Sequence, residues 1–328
     1  MLPRSILPKF HWSQLLWLAA PPLLWWALKD IRWAEVWVAV SRLGFWQIAT
    51  LVAINFITLL SFSGRWWLIL RAQGYRIPYL TLTAYRVASF GVSYFTPGPQ
   101  FGGEPLQVYL LTRNHGLPGP AAAATTALDK ALELLVNFFF LAVGIGLIGQ
   151  WQLLPSASGG YVIGLMIGLF VAIVVLLWAE WAGWMPLTRL TAKLPKRAAH
   201  AVEESERQAA QFFREQPRVL LVAILVSIAS WGLILSEFWL AMRFLGLGLT
   251  LTQLITAVTI NRIAFLAPLP GGLGALESSQ VLAMTVLGLD PAFGVSQGLV
   301  IRARDVAVGL CGLWLGWQAA RKRRAGEG

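Results

Sequence analysis

The amino-acid sequence predicts an all-α polytopic membrane protein: six full spans plus two broken, re-entrant hairpins in an inverted-topology repeat. Three observations lead there. Of 328 residues, 57% are apolar and only 12% charged, about half the charged share of a soluble domain. The apolar residues gather into runs of about 20, the length that crosses a bilayer. One motif also occurs twice at identical spacing inside such runs. Pro97-Gly98 precedes Glu104 and Gln107-Val108, and Pro270-Gly271 precedes Glu277 and Gln280-Val281. A helix breaker and a carboxylate are costly in lipid. Their recurrence in corresponding places of two halves points to a transporter site built from broken helices.

The elements follow in chain order. Arg4 and Lys9 precede an apolar run over 12–28. Pro21-Pro22 interrupts it and Trp25-Trp26 stands where a cleavage site needs small residues, so it reads as a kinked first span and not a signal peptide. Over 33–43, Trp33, Val36, Trp37, Val40 and Leu43 share one helical face and Arg32, Glu35 and Arg42 the other, the pattern of an interfacial helix. Full spans follow at 45–69, 118–149, 160–181, 218–243 and 291–320. The segments 80–112 and 251–289 are apolar but broken at Pro97-Gly98 and Pro270-Gly271. Each is either two spans or one re-entrant hairpin; about a dozen residues separate Gly102 from Arg113, too few to cross about 30 Å at 1.5 Å per residue, which favours the hairpin in the first copy. The chain is thus a single transmembrane domain over 1–328, with repeat one at 45–149, repeat two at 218–320 and a cytoplasmic connector at 182–217. A charged helix over 196–216 in that connector has Phe212 and Phe213 available to touch lipid; for this stretch and for 33–43 a plain connector is the favoured reading.

Positive charge orients the spans. Arg189, Lys193, Lys196, Arg197, Arg207, Arg214 and Arg218 mark the connector as cytoplasmic, and Arg321-Lys322-Arg323-Arg324 puts the C-terminus on the same side. Arg4, Lys9, Arg65, Arg71, Arg76 and Arg113 fit that side; Lys29, Arg32, Arg42 and Arg243 fall opposite. The expected location is the inner membrane, with both termini cytoplasmic. The net charge of +11 then reflects loops facing anionic lipid and not a nucleic-acid partner.

Ionisable residues at membrane depth are the candidate site. Arg86, Glu104, Arg262 and Glu277 lead, with Asp129, Glu133, Arg302, Asp305 and Asn261 beside them. Each is expensive unless it faces the bundle interior or finds a partner. Asp129 and Glu133, four apart on one helical face, repel unless an arginine lies between them or one is protonated. Arg302 and Asp305 are spaced to pair locally, whereas Arg304 and Glu237 are placed to snorkel toward an interface. Beyond each Pro-Gly break a helix begins whose free N–H groups, with buried arginines, suit a phosphate-bearing headgroup. Two roles are open to Glu104 and Glu277: capping that helix and holding an arginine, or accepting a proton or cation that drives transport. The competing reading is internal salt bridges that only assemble the bundle.

Other patterns carry less. Gly164/Gly168 and Gly312/Gly316 are small-xxx-small pairs, expected to pack tightly inside the bundle. Cys311 stands alone, the three histidines are scattered, and no Gly-x-Ser-x-Gly, His-Glu-x-x-His or Walker motif occurs. No metal, cofactor, hydrolase or ATP-driven pump is therefore expected.

The runs Phe95-Thr96-Pro97-Gly98…Gly103-Glu104-Pro105-Leu106 and Pro268-Leu269-Pro270-Gly271-Gly272-Leu273-Gly274-Ala275-Leu276-Glu277 resemble the Pro-Gly…Gly-Glu signature of the lysylphosphatidylglycerol synthase membrane-domain family, also called the flippase-like domain family. The similarity extends over about 40–320. Larger members of the family fuse this domain to a soluble aminoacyl-transferase domain, which this sequence lacks. The resemblance therefore implies membrane translocation and not lipid synthesis. It carries family positions onto Pro97, Gly98, Gly103, Glu104, Pro270, Gly271, Gly272, Gly274 and Glu277. Asp129 resembles the family's acidic position after an Ala-rich stretch, but Lys130 stands where an arginine often follows.

The expected function is movement of a phosphate-bearing amphipathic lipid between leaflets, the headgroup passing the hairpin tips. Arg86 and Arg262 are the expected phosphate contacts, and Glu104 and Glu277 the gating or ion-coupling groups. The alternatives are an intramembrane transferase using a polyprenyl-phosphate or phospholipid, with Asp129, Glu133 or Asp305 as base, and a non-catalytic partner in a lipid-synthesis complex.

Overall fold

Helix signals are strong and local along this chain, and the computed structural model realises them as twelve helices among the residues it describes: 33–96, 102–150, 156–191, 195–266, 269 and 272–321. They are α1 (Trp33–Ser41), α2 (Phe45–Ala72), α3 (Tyr79–Phe95), α4 (Glu104–His115), α5 (Gly119–Gln150), α6 (Ser156–Ala182), α7 (Pro186–Leu190), α8 (Lys196–Glu215), α9 (Pro217–Phe244), α10 (Leu251–Ala264), α11 (Ala275–Val286) and α12 (Pro291–Arg321). The expected first span at 12–28, and Pro97, Gly98, Pro270 and Gly271, lie outside the described residues.

Local chemistry sets the ends. Gly44 N donates to Gln47 Oε1 at 2.7 Å where α2 begins. Thr250 and Gln253 close a reciprocal capping box at the start of α10. Gly74, at φ +88°, follows the end of α2 in the left-handed region open to glycine. α2, α5 and α9 are long and apolar enough to cross a membrane. α12, of 31 residues, is as long but carries Arg302, Arg304 and Asp305 near its middle. Side chains such as Val52, Phe56, Leu221, Leu225, Ile228, Leu310 and Trp314 face outward. That surface would aggregate in water and is suited to lipid; the protein is a multi-pass membrane protein.

The helix order repeats. α2 and α9 have 28 residues each, α3 and α10 17 and 14, α4 and α11 12 each, and α5 and α12 32 and 31. Packing repeats with them: α2 lies against α9, α3 against α12, and its counterpart α10 against α5. Each short pair folds back on itself. Gly103 N donates to Ser93 Oγ at 2.9 Å, while Asn114 at the far end of α4 reaches Tyr85 Oη at 2.9 Å. In the second half Gly272 lies beside Phe265, and Ser279 Oγ donates to Asn261 Oδ1 at 3.1 Å. The breaks expected in 80–112 and 251–289 are therefore where α3 gives way to α4, and α10 to α11.

Three expectations are corrected here. Phe212 and Phe213 do not face lipid: both are buried against Ile69, Leu128, Leu132 and Ala223, because docking α8 on the bundle removes more apolar surface than an interfacial pose. A Cβ added at Gly164 or Gly168 would meet nothing within 4 Å among the described residues, so none of the described helices packs closely on that pair. Gly312 and Gly316 are packed closely: a Cβ at Gly312 would stand 2.1 Å from Val87 O, and one at Gly316 3.2 Å from Ala88 Cβ, so α3 and α12 cross almost backbone to backbone. Finally, Arg65 is no loop marker, because it is fully buried within α2. α1 docks on the bundle, since Val36 packs on Ala292 and Val295 at the start of α12.

Candidate functional site

Between the two repeats lies a cavity of about 280 Å³, walled by α2, α3, α4, α5, α9, α10 and α12. Its floor is a network of three cations and three carboxylates. Arg65 Nε meets Asp129 Oδ1 at 2.7 Å, Arg65 Nη2 meets Glu133 Oε2 at 3.2 Å, and Arg65 Nη1 donates to Ser227 Oγ at 3.0 Å. Arg86 pairs with Asp129 and approaches Glu133 at 3.6 Å. Lys130 Nζ reaches Glu133 Oε1 at 2.9 Å and Glu104 Oε1 at 3.5 Å. Arginine thus lies between Asp129 and Glu133, as their spacing requires if both are ionised.

The opposite wall carries a smaller group. Arg304 bonds Glu237 Oε1 and Asp305 Oδ1 at 2.6 and 2.8 Å. Arg304 and Glu237 therefore do not snorkel; they line the cavity, because each finds its partner across the helix interface. Arg302 does not pair with Asp305 either. It bonds Glu277 Oε1 at 2.6 Å and donates to Tyr94 Oη at 2.9 Å, partners on other helices that outcompete the local one. Arg65 and Glu237 stand at the same place in α2 and α9, each 20 residues after the first. Each bonds the last long helix of its own repeat, with the signs exchanged.

The two hairpin glutamates share one geometry. Glu104 Oε2 accepts from Gly102 N, and Glu277 Oε2 accepts from Gly274 N, both at 2.9 Å. The other oxygen of each turns to a cation, Lys130 or Arg302. Three amides at these helix starts are thus occupied, those of Gly102 and Gly274 by carboxylates and that of Gly103 by Ser93. Gly272 and Gly274 take φ of +62° and +78°, which favours glycine in the turn. The Lys130 contact is the longer, and Glu133 stays with Lys130 if Glu104 changes. Glu277→Gln is accordingly expected to lower stability by about 1–3 kcal/mol, and Glu104→Gln by less, read as thermal unfolding in detergent.

Arg262 stands apart. Its guanidinium lies 4.9 Å from the Trp231 ring centre and lines the cavity, yet among the described residues it makes no hydrogen bond or ion pair. Of the residues expected at the site, Arg86, Glu104, Asp129, Glu133, Asn261, Arg262, Gly272 and Asp305 meet on the cavity wall. Gly103, Gly274, Glu277 and Arg302 stand off it. Arg65, Lys130, Glu237, Arg304 and Tyr94 complete the arrangement without having been expected there. Arg65 had a signal, a cation inside a continuous apolar run; neutral Tyr94 had none.

Comparison with known proteins agrees with the motif. The model of the lysylphosphatidylglycerol synthase TM region matches residues 19–312. Two UPF0104 membrane proteins of Methanothermobacter thermautotrophicus are similar, each 25% identical, over 269 and 296 residues. These alignments cover 76% and 80% of this chain and 78% and 81% of the relatives.

Proposed function

The chain belongs to the lysylphosphatidylglycerol synthase transmembrane-region family, and from that premise we propose that it moves a phosphate-bearing amphipathic lipid between the leaflets of the inner membrane. The observation that carries this reading is Arg262: a partly buried guanidinium with no carboxylate partner among the described residues, on a cavity between the two halves. A partly buried cation at membrane depth is costly when left unpaired, and a headgroup phosphate would compensate it with charge-assisted hydrogen bonds. Arg86 is engaged by Asp129, so in this reading it organises the floor and Arg262 takes the headgroup. Acyl chains stay in lipid while the headgroup crosses the cavity. The hairpins α3–α4 and α10–α11 enter from opposite faces between six full spans, both termini are cytoplasmic, and the paired glutamates couple a proton or cation to the movement.

The transferase reading needs a free carboxylate as base. Asp129 and Glu133 are each held by at least two cations, which weighs against it.

The test is leaflet exchange of labelled lipids in liposomes. Arg262→Gln is expected to slow exchange of phosphatidylglycerol at least tenfold, the loss of one charge-assisted contact of about 1.5–3 kcal/mol. Exchange of a neutral glycolipid should change little. Undiminished phosphatidylglycerol exchange would remove Arg262 from the pathway. No exchange of any lipid by the unaltered protein would overturn translocation itself.

A further inference from the structure

Beside the main cavity lies a second, smaller chamber of about 60 Å³. Its charged lining is Arg65, Lys130, Arg262 and Glu133, and its other walls include Asn137, Ser227 and Trp231. Arg262 borders both spaces. The chamber has room for a small ion and a few waters, since about 15 Å³ of such space already admits one water. It does not have room for a phospholipid headgroup.

Its electrostatics are one-sided. Three cations face it against a single carboxylate. Both oxygens of Glu133 are already taken, Oε1 by Lys130 and Oε2 by Arg65 and Arg86, and Asp129 behind them is held by Arg65 and Arg86. Among the described residues no carboxylate remains for Arg262. The Arg304 group across the main cavity is the next set of charges to act on it, and there Glu237 and Asp305 share Arg304. Asn137 makes no hydrogen bond among the described residues, so its amide is a second donor for whatever sits in the chamber. Ser227 Oγ donates to Ala223 O and accepts from Arg65; it supplies no further proton.

We propose that this chamber is a binding site for a compact inorganic anion of the halide class, held by the Arg262 guanidinium and the Asn137 amide against the Trp231 ring. The physical ground is compensation. A partly buried guanidinium at membrane depth without a counter-charge destabilises the fold unless an anion accompanies it, and a pocket of net positive charge concentrates small anions. The site needs no lipid to be filled. It shares Arg262 with the translocation reading, and the anion and the lipid phosphate are alternative occupants of that one guanidinium.

Trp231 makes the site observable, because bromide at contact distance quenches indole fluorescence. The full-length protein in detergent is titrated with sodium bromide against sodium gluconate at constant ionic strength. The expected result is a saturable quenching component in bromide that is absent in Trp231→Phe and in Arg262→Gln and shifted several-fold to higher bromide in Asn137→Ala. Chloride should compete with it. Purely linear, collisional quenching of the unaltered protein would overturn the proposal whatever the variants do. So would a saturable component that survives in Trp231→Phe, which would belong to another tryptophan. A signal that responds to added phosphatidylglycerol and to no halide would assign the guanidinium to a lipid phosphate, and would also overturn the inorganic site.

Discussion

Arg65→Met is expected to lower the stability of the bundle by about 3–5 kcal/mol, because it breaks a buried ion network by removing one partner. Arg65 is fully buried and joins α2 to Asp129 and Glu133 on α5 and to Ser227 on α9. Without it, Asp129 and Glu133 face each other with only Arg86 and Lys130 to hold them, and Ser227 loses its donor. The measurement is the unfolding midpoint in detergent or mixed micelles. Arg65→Met combined with Asp129→Asn should recover part of the loss, since the orphaned carboxylate goes with its partner; the single changes will not add. A loss below about 1 kcal/mol for Arg65→Met would mean that water reaches the network and screens it as it does a surface pair.

Gly103→Ala is expected to separate the arms of the first hairpin. A Cβ on Gly103 would lie 2.0 Å from Ser89 O and 2.4 Å from Ser89 Oγ, and the first of these is backbone that cannot rotate away. Overpacking of this kind costs about 1–3 kcal/mol. The shift also pulls Gly103 N off Ser93 and moves Glu104 relative to Lys130, so lipid exchange should fall with stability. Gly146→Ala is the control of opposite sign. It lies within α5 with nothing within 4 Å of the added methyl, and alanine in a helix interior is worth about 0.5–1 kcal/mol over glycine. Equal effects at the two sites would show that helix propensity, and not the close approach of α3 and α4, governs Gly103.

Much of this arrangement is legible in the residues themselves. The spans at 45–69, 118–149 and 218–243 correspond to α2, α5 and α9 because a long apolar run has few alternatives to a helix in lipid. Thr250 and Gln253, with Pro217 at the first turn of α9, announce helix starts by chemistry confined to one turn. The two Glu positions were readable as caps because the carboxylate and the amide it accepts from are two or three residues apart. The charge partners were not. Arg65 and Asp129 lie 64 residues apart, and Arg302 and Tyr94 208 apart. Arg302 and Asp305 had the right spacing for each other and chose differently. Phe212 and Phe213 looked like residues for a lipid surface and instead fill a gap against Ile69 and Ala223.

What the sequence by itself determined is therefore the membrane class, the helices with their interruptions, the twice-occurring Pro-Gly…Glu motif and the family signature. All of these follow from composition and from interactions within a turn or two of the chain. Only the tertiary structure decided which charge neutralises which. Pairing depends on ångström-scale distances between helices that the chain brings together from afar, and on how far each group is removed from water. That assignment commits Arg65, Arg86, Lys130, Arg302 and Arg304 to carboxylates and, among the described residues, leaves Arg262 without one.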